Sequence, residues 1–401
     1  MNWIVSELYF PEETSTGHFL TKIAEGLVQS STPVSVLCSQ PTYSQRGTRA
    51  PWREIHNGVH IYRCRGGWLN KDFLPFRIIN FLTISLALFM FSLVHLQQGD
   101  KVLFVTNPPL LPYLITVSCR IRRAKPILLV HDVYPEVLAA TDMISARSIT
   151  YKFIQSVSHW LYDRVLSIIV IGRDMWKLAA SKCRDRSKIT LLTNWADLDI
   201  VHPIPRLKNA ALKSLGLLDS FVVQYCGNMG RTHGLKYLTE CADRMNGDTS
   251  FHFLLVGSGA GKASLEREKD RLKLENITIL PRCPRKELNQ YLNACDLSVI
   301  SFIPGMFGVS VPSRMYNIMA AGKPILAIAD RSSELALVVE EEKIGWVVPP
   351  GDIDALIAAI RDAKSDPSRL EEMGLHARKV AEEKYSFDRI IAHYQEIFRV
   401  L

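Results

Sequence analysis

Residues Val311–Asp330 read VPSRMYNIMAAGKPILAIAD. Pro312 suits the first turn of a helix, because its missing N–H has no intrahelical partner there. Met315, Ile318 and Met319 recur at helical spacing. Gly322 fits a left-handed cap, and Pro324 forbids continuation. PILAIA, residues 324–329, then reads as a strand buried on both faces. A short helix feeding a buried strand is the unit of a parallel α/β sheet. The free N–H groups at such a helix start attract anions.

Outward from this stretch the same alternation fills the chain. WIVS, PVSVLC, VHIYRC, KVLFVT, PILLVHD, LSIIVIG and ITLLTN punctuate the first half; FVVQYCG, FHFLLVGSG, NITILP, LSVISF, PILAIA and GWVVPPG punctuate the second. With 401 residues the chain exceeds one ordinary core. Two series of buried strands separated by helices predict two doubly wound, Rossmann-like domains. The Pro-containing run VHPIPRLKNAALK is the linker candidate. The expected division is 1–200, 201–384, and a helix over 385–401 that crosses back to the first domain on Ile390, Ile391, Tyr394, Ile397 and Phe398.

The composition, 47% hydrophobic and 22% charged, excludes a disordered chain. The net charge of +8 fits a phosphate-bearing ligand or an anionic membrane surface. No long Lys/Arg run and no zinc-finger or RNA motif occurs, so nucleic acid is not an expected partner. The 8 cysteines are scattered without a C-x-x-C, which points to a reducing cytosol and to neither a zinc site nor a disulfide framework. MNWIVSELYFPEE does not read as a signal peptide.

Between Arg77 and Asp100 lie 22 residues without Asp, Glu, Lys or Arg. That length can span a bilayer, form a core helix, or lie in the membrane interface. Phe81, Leu82, Ile84, Leu86, Leu88, Phe89, Phe91 and Leu93 fall on more than one side of a helix. With basic Lys71 and Arg77 beside them, the expectation is peripheral membrane contact through 78–96.

Ligands of open parallel sheets bind beyond the carboxyl ends of the strands. The informative residues follow strands. Gly17 and His18 follow the first. His131, Asp132, Tyr134 and Glu136 follow PILLV, where a histidine can bond a sugar hydroxyl or a leaving oxygen. Gly227, Asn228, Met229, Gly230, Arg231 and His233 form GNMGRTH, which can set backbone N–H groups and cations against phosphate. GSGAGK, with Gly257, lacks the Ser or Thr of a nucleoside triphosphate loop, since Ala263 follows Lys262. Arg282 and Cys283 follow NITILP. Neither a covalent nucleophile nor metal-ligand spacing stands out, so no cofactor and no metal are expected. The parts present suit stabilisation of a diphosphate, including one that leaves.

Taken in order, YFPEETSTGHFLTKIAEGL, VHDVYPEVLAATDMI, NWADLDIVHP, YCGNMGRTHGLKYL, VPSRMYNIMAAGKPILA and GWVVPPGDIDALIAAI resemble the retaining family 4 glycosyltransferases of the GT-B fold. The resemblance is strongest to the bacterial surface-polysaccharide subgroup, of the colanic-acid and O-antigen type. It implies two Rossmann-like domains facing across a cleft. A nucleotide-sugar donor, UDP-linked, is expected in the second domain. A glycan or polyprenyl-diphosphate-linked acceptor is expected in the first, at Gly17, His18, Tyr134 and Glu136. It implies transfer with retention and without a metal. The apolar segment 78–96, with no signal peptide read before it, sets the expected place at the cytoplasmic face of the membrane, attached peripherally.

Two departures stand out. Many relatives carry two glutamates eight positions apart, where this chain has Val309 and Asn317. Many carry Arg and Lys in the glycine loop, where it has Asn228 and His233. Arg231 and Arg314 are then expected to replace the missing cations, with His131 and Asp132 completing the catalytic set. Val311, Pro312, Ser313, Tyr316 and Asn317 are expected against the donor. A sugar-nucleotide epimerase and a non-catalytic partner that kept the fold are the competing readings.

Overall fold

The computed structural model describes residues 1–41, 48–67, 69 and 74–401. The chain forms two compact units. The first comprises Met1–Ala139, Ile144–Thr193 and Asp388–Leu401; the second comprises Ala140–Met143 and Asn194–Phe387.

The first unit is built on strands β1 (Asn2–Val5), β2 (Val34–Ser39), β3 (Arg53–His56), β4 (Val59–Cys64), β5 (Lys101–Val105), β6 (Lys125–Val130), β7 (Ser167–Val170) and β8 (Ile189–Leu191). Their order is β3-β4-β2-β1-β5-β6-β7-β8. All pair in parallel except β3, which runs antiparallel to β4 at the edge. The strand order reverses at β1, whose Ile4 pairs with Val36 on one side and Leu103 on the other. β1, β2, β5, β6 and β7 are buried on both faces apart from a terminal residue, because helices cover both sides of the sheet. Helix Phe387–Val400 returns here: Ile390, Ile391, Tyr394 and Phe398 are buried, and Lys101 and Lys125 donate to the carbonyls of Phe398 and Leu401.

The second unit carries β9 (Phe221–Asn228), β10 (Phe251–Ser258), β11 (Ile277–Leu280), β12 (Leu297–Ser301), β13 (Ile325–Ile328) and β14 (Gly345–Val348). The order β11-β10-β9-β12-β13-β14 is that of a doubly wound nucleotide-binding sheet, with its switch point at β9 and β12. The fully buried Gln224 of β9 is tolerated because its amide donates to the Tyr291 carbonyl at 2.7 Å. The Pro-containing run 201–213 lies inside this unit, where Arg206 pairs with Asp296 at 2.6 Å.

The opening stretch forms a helix from Arg314 to Ala320, then β13. Pro312 stands before the helix instead of in its first turn, its carbonyl accepting from Met315 N–H at 3.1 Å. Gly322 adopts the left-handed φ of +65° that ends the helix.

Candidate active site

The switch point of the second unit gathers most of the expected donor residues. β9 ends at Gly227, whose φ of +153° favours glycine. A Cβ here would lie 2.9 Å from Arg314 Cζ, so its absence lets the guanidinium rest against the backbone. Arg314 comes from the first turn of Arg314–Ala320. Its guanidinium sits 4.6 Å from the Tyr225 ring centroid, a cation–π contact, and its Nη2 donates to His233 Nε2 at 3.3 Å. Nη1 is buried and has no acceptor among the described residues.

Burial, followed by the charge of Arg314, pushes His233 down to about 3. It is a neutral acceptor at pH 7, and the positive charge stays on Arg314. Arg231 is exposed on the adjoining single turn Arg231–His233.

GSGAGK buttresses this loop. Met229 N–H donates to Ser258 O and Gly261 N–H to Met229 O, both at 2.8 Å. A Cβ on Gly257 would stand 1.9 Å from the Gly227 carbonyl oxygen, so β9 and β10 approach more closely than any side chain allows. Tyr225 OH donates to the Asn228 carbonyl. Tyr225 thus ties the loop to the cation, a role its place in an apolar strand conceals.

The first unit assembles a second cluster beyond β1, β5 and β6. Thr14 caps helix Ser15–Gln29 by accepting from Gly17 N–H at 3.2 Å. Gly17 is buried, and a Cβ there would lie 2.7 Å from the Glu12 carbonyl. His18 follows it, half-buried. Thr106, just past β5, accepts from His131 N–H at 3.2 Å and Asp132 N–H at 3.1 Å. His131 Nδ1 stands 3.5 Å from Thr16 Oγ1, and its Nε2 is buried with no hydrogen-bond partner among the described residues. Burial pushes His131 down to about 4, so it is neutral at pH 7. It offers a polar atom without a proton charge to exchange. Thr16 and Thr106 were not foreseen; a threonine ending the apolar run KVLFVT was the available signal.

Several expected contacts are corrected. Tyr316 is fully buried, with its ring centroid 4.9 Å from that of Tyr385, because this short helix is enclosed on nearly every side. Asn317 turns its amide oxygen to Asp197 N–H at 2.8 Å, so that end is occupied within the unit. Val309 is buried. Glu136 Oε1 forms a 2.6 Å ion pair with Lys182, whose side chain is 2% exposed, so that oxygen is engaged within the unit. Tyr134 lends its carbonyl to the same lysine at 3.3 Å. Burial raises the Tyr134 hydroxyl above the ordinary phenol range.

Val311 and Pro312 are buried, Ser313 is half-buried and makes no side-chain cap, and Arg282 is exposed. The Cys283 thiol lies within hydrogen-bonding reach of Cys226; this contact holds Cys283 below and Cys226 above the usual thiol range. Among the described residues, no group of three His, Cys, Asp or Glu is placed to hold a metal ion.

Two doubly wound parallel sheets, each with its polar cluster beyond the strand ends, define the GT-B architecture. The solved sucrose-phosphate synthase of Thermosynechococcus elongatus shares it at 17% identity and a TM-score of 0.79, over 99% of this chain and 98% of that one. So does the Anabaena protein HepE, solved with UDP-glucose, at 15% identity and a TM-score of 0.74, over 100% and 99%. Residues 209–380 match the family described as glycosyl transferases group 1. The "Probable glycosyltransferase WbjE" of Pseudomonas aeruginosa is 32% identical over 291 residues, 72% of each chain. WcaI of Escherichia coli, a glycosyl transferase named for colanic acid biosynthesis, is 23% identical over 88% of this chain and 90% of its own. The chain belongs to the group 1 glycosyltransferases.

Proposed function

We propose that the protein transfers a hexosyl unit from a UDP-sugar to a glycan or polyprenyl-diphosphate-linked acceptor, with retention of configuration, in bacterial surface-polysaccharide synthesis at the cytoplasmic face of the membrane. One observation carries the donor reading. Among the described residues, Arg314 Nη1 is a buried guanidinium N–H without an acceptor, set against a glycine-lined loop. A buried donor left unpaired costs stability unless a ligand completes it. A diphosphate supplies the anionic oxygen, and exposed Arg231 adds a second cation. HepE, of the same fold, was solved with UDP-glucose, which favours a uridine nucleotide.

In the step, the bond between sugar C1 and the diphosphate oxygen breaks, and the acceptor hydroxyl oxygen bonds C1 on the same face. The acceptor proton passes to the departing diphosphate. Negative charge grows on UDP as it leaves, and fixed guanidiniums stabilise that charge more in the transition state than in the ground state. His131 Nε2, neutral and without a hydrogen-bond partner among the described residues, orients an acceptor or sugar hydroxyl. Two guanidiniums supply the positive charge, so no metal is required.

The experiment measures free UDP from a panel of UDP-sugars and lipid-linked acceptors, with a chelator present. Acceptor-dependent UDP release is the expected result. Activity lost to the chelator and restored by magnesium overturns the metal-independent part. Buried Val309 and the structurally engaged Asn317, where many relatives have glutamates, favour a second reading as a non-catalytic partner. UDP binding without release for any pair on the panel would support it.

A further inference from the structure

Helix Leu74–His95 distributes its side chains in reverse. It links β4 to β5 and packs on β2, β4 and helix Leu111–Arg122. Toward the protein it turns Ile84 and Leu88, but also Asn80, Ser85 and Ser92, all buried. Toward the outside it turns Ile79, Leu82, Leu86, Met90 and Val94, which are 43% to 74% exposed. A water-facing helix shows polar residues outside. Small polar residues at a helix contact, with large apolar residues outward, are what hydrocarbon surroundings favour.

The charged side chains of the two helices that form this ridge have one sign. Arg77 is exposed at its start, its guanidinium 5.5 Å from the Phe81 ring centroid. At the other end Arg122 Nε donates to the Leu96 carbonyl at 2.8 Å, which brings exposed Arg120, Arg122 and Arg123 beside it, together with exposed Ile121. Neither helix contains an Asp or Glu. Lys71, the other basic neighbour expected here, lies outside the described residues.

We propose that this ridge seats the first unit on an anionic phospholipid surface. The helix lies in the interface with its apolar row among acyl chains and its arginines among lipid phosphates. It does not span: Ile84 and Leu88 on its inner side are core residues of the unit, 3% and 0% exposed. A second copy of the chain fits the ridge less well. Antiparallel pairing would set Arg77 against the arginine cluster of the other copy at both ends, and parallel pairing would set like residues together. The inference concerns a surface remote in sequence from the donor loop and does not depend on the donor reading.

The test is co-sedimentation of the full-length protein with phosphatidylglycerol/phosphatidylethanolamine vesicles and with phosphatidylcholine vesicles. Strong binding to the first and weak binding to the second is expected, falling as salt screens the arginines. Leu82→Gln, Leu86→Gln and Met90→Gln together should weaken binding by about tenfold or more with an unchanged melting temperature, since all three are exposed. Arg120→Ser with Arg123→Ser should weaken anionic binding by about tenfold and erase the lipid preference. Wild-type protein that ignores both vesicle types while UDP raises its melting temperature would overturn the docking surface and leave the donor reading standing. Vesicle binding without any UDP effect would do the reverse. If the triple variant converts a dimer to a monomer and leaves vesicle binding unchanged, the ridge belongs to a second copy and the proposal fails.

Discussion

Arg314 Nη2 donates to His233 Nε2 at 3.3 Å, and this bond sorts the charges of the second unit's site. The histidine, held down to about 3, keeps its lone pair and the guanidinium keeps its charge. A neutral ring from the glycine loop thus meets a cation from the helix Arg314–Ala320.

Arg314→Ala should therefore lower kcat by about two to three orders of magnitude, as removal of a donor to developing charge does. Arg314→Lys should not restore it, because an ammonium can neither stack on Tyr225 nor present a fork of donors. Arg231→Ala should cost about the same in kcat with no change in melting temperature, since that side chain is exposed. Steady-state rates beside thermal melts check all three; a near wild-type rate for Arg231→Ala removes it from the site.

Gly227→Ala places a Cβ 2.9 Å from Arg314 Cζ at a φ of +153°. The backbone strain alone costs about 1–3 kcal/mol. Displacement of the guanidinium should also weaken UDP binding. Calorimetric titration with UDP should show weaker binding in Gly227→Ala than in wild type at a temperature where both are folded.

Stability should fall on acidification. His131 and His233 are held at about 4 and about 3, below the ordinary 6.5. Between pH 6.5 and those values the unfolded chain takes up protons that the native state refuses, so unfolding becomes easier as pH drops. The contribution is fully present above 6.5 and lost progressively toward 4 and then 3. Urea unfolding at pH 7 and pH 5 should show the loss, and His131→Gln should flatten its steeper part. An unchanged pH slope in that variant would assign the effect elsewhere.

Glu136→Gln leaves the buried Lys182 ammonium without its carboxylate. Breaking such a pair from one side costs about 3–5 kcal/mol. The loss should appear in unfolding free energy, while the UDP affinity of folded protein, which the donor proposal assigns to the other unit, stays within error. Unchanged stability would show that Lys182 sheds its proton instead, as burial already favours.

The sheets were legible because most of their central strands, β1, β2, β5, β6, β7, β12 and β13, are buried on both faces and read as apolar runs. β3 was not: Arg53–His56 is half-exposed at an edge and carries no apolar run. Arg314 and Gly227 were readable one at a time, through a charge and a glycine, but their contact is tertiary. Tyr225 gave no warning, since an aromatic residue in FVVQYCG reads as core and half of its role is exactly that kind of packing, the other half being its hydroxyl. Tyr316 reads as a surface position because Arg314 and Asn317 flank it, whereas a short helix sunk in the unit has almost no outer face. The partner of Glu136 was hidden for a related reason: no local spacing announces Lys182, 46 residues away.

Helix Phe387–Val400 packs into the first unit, so that unit is interrupted by the whole of the second. During synthesis, residues 1–193 emerge early but lack the helix that covers Lys101 and Lys125. The second unit needs only a short distant piece, Ala140–Met143, besides its continuous stretch Asn194–Phe387. The order of emergence is thus not the order of completion. The first unit stays unfinished until residues 388–401 have been made, and a stop codon shortly before that helix would leave the apolar surface that Ile390, Ile391, Tyr394 and Phe398 cover open to aggregation.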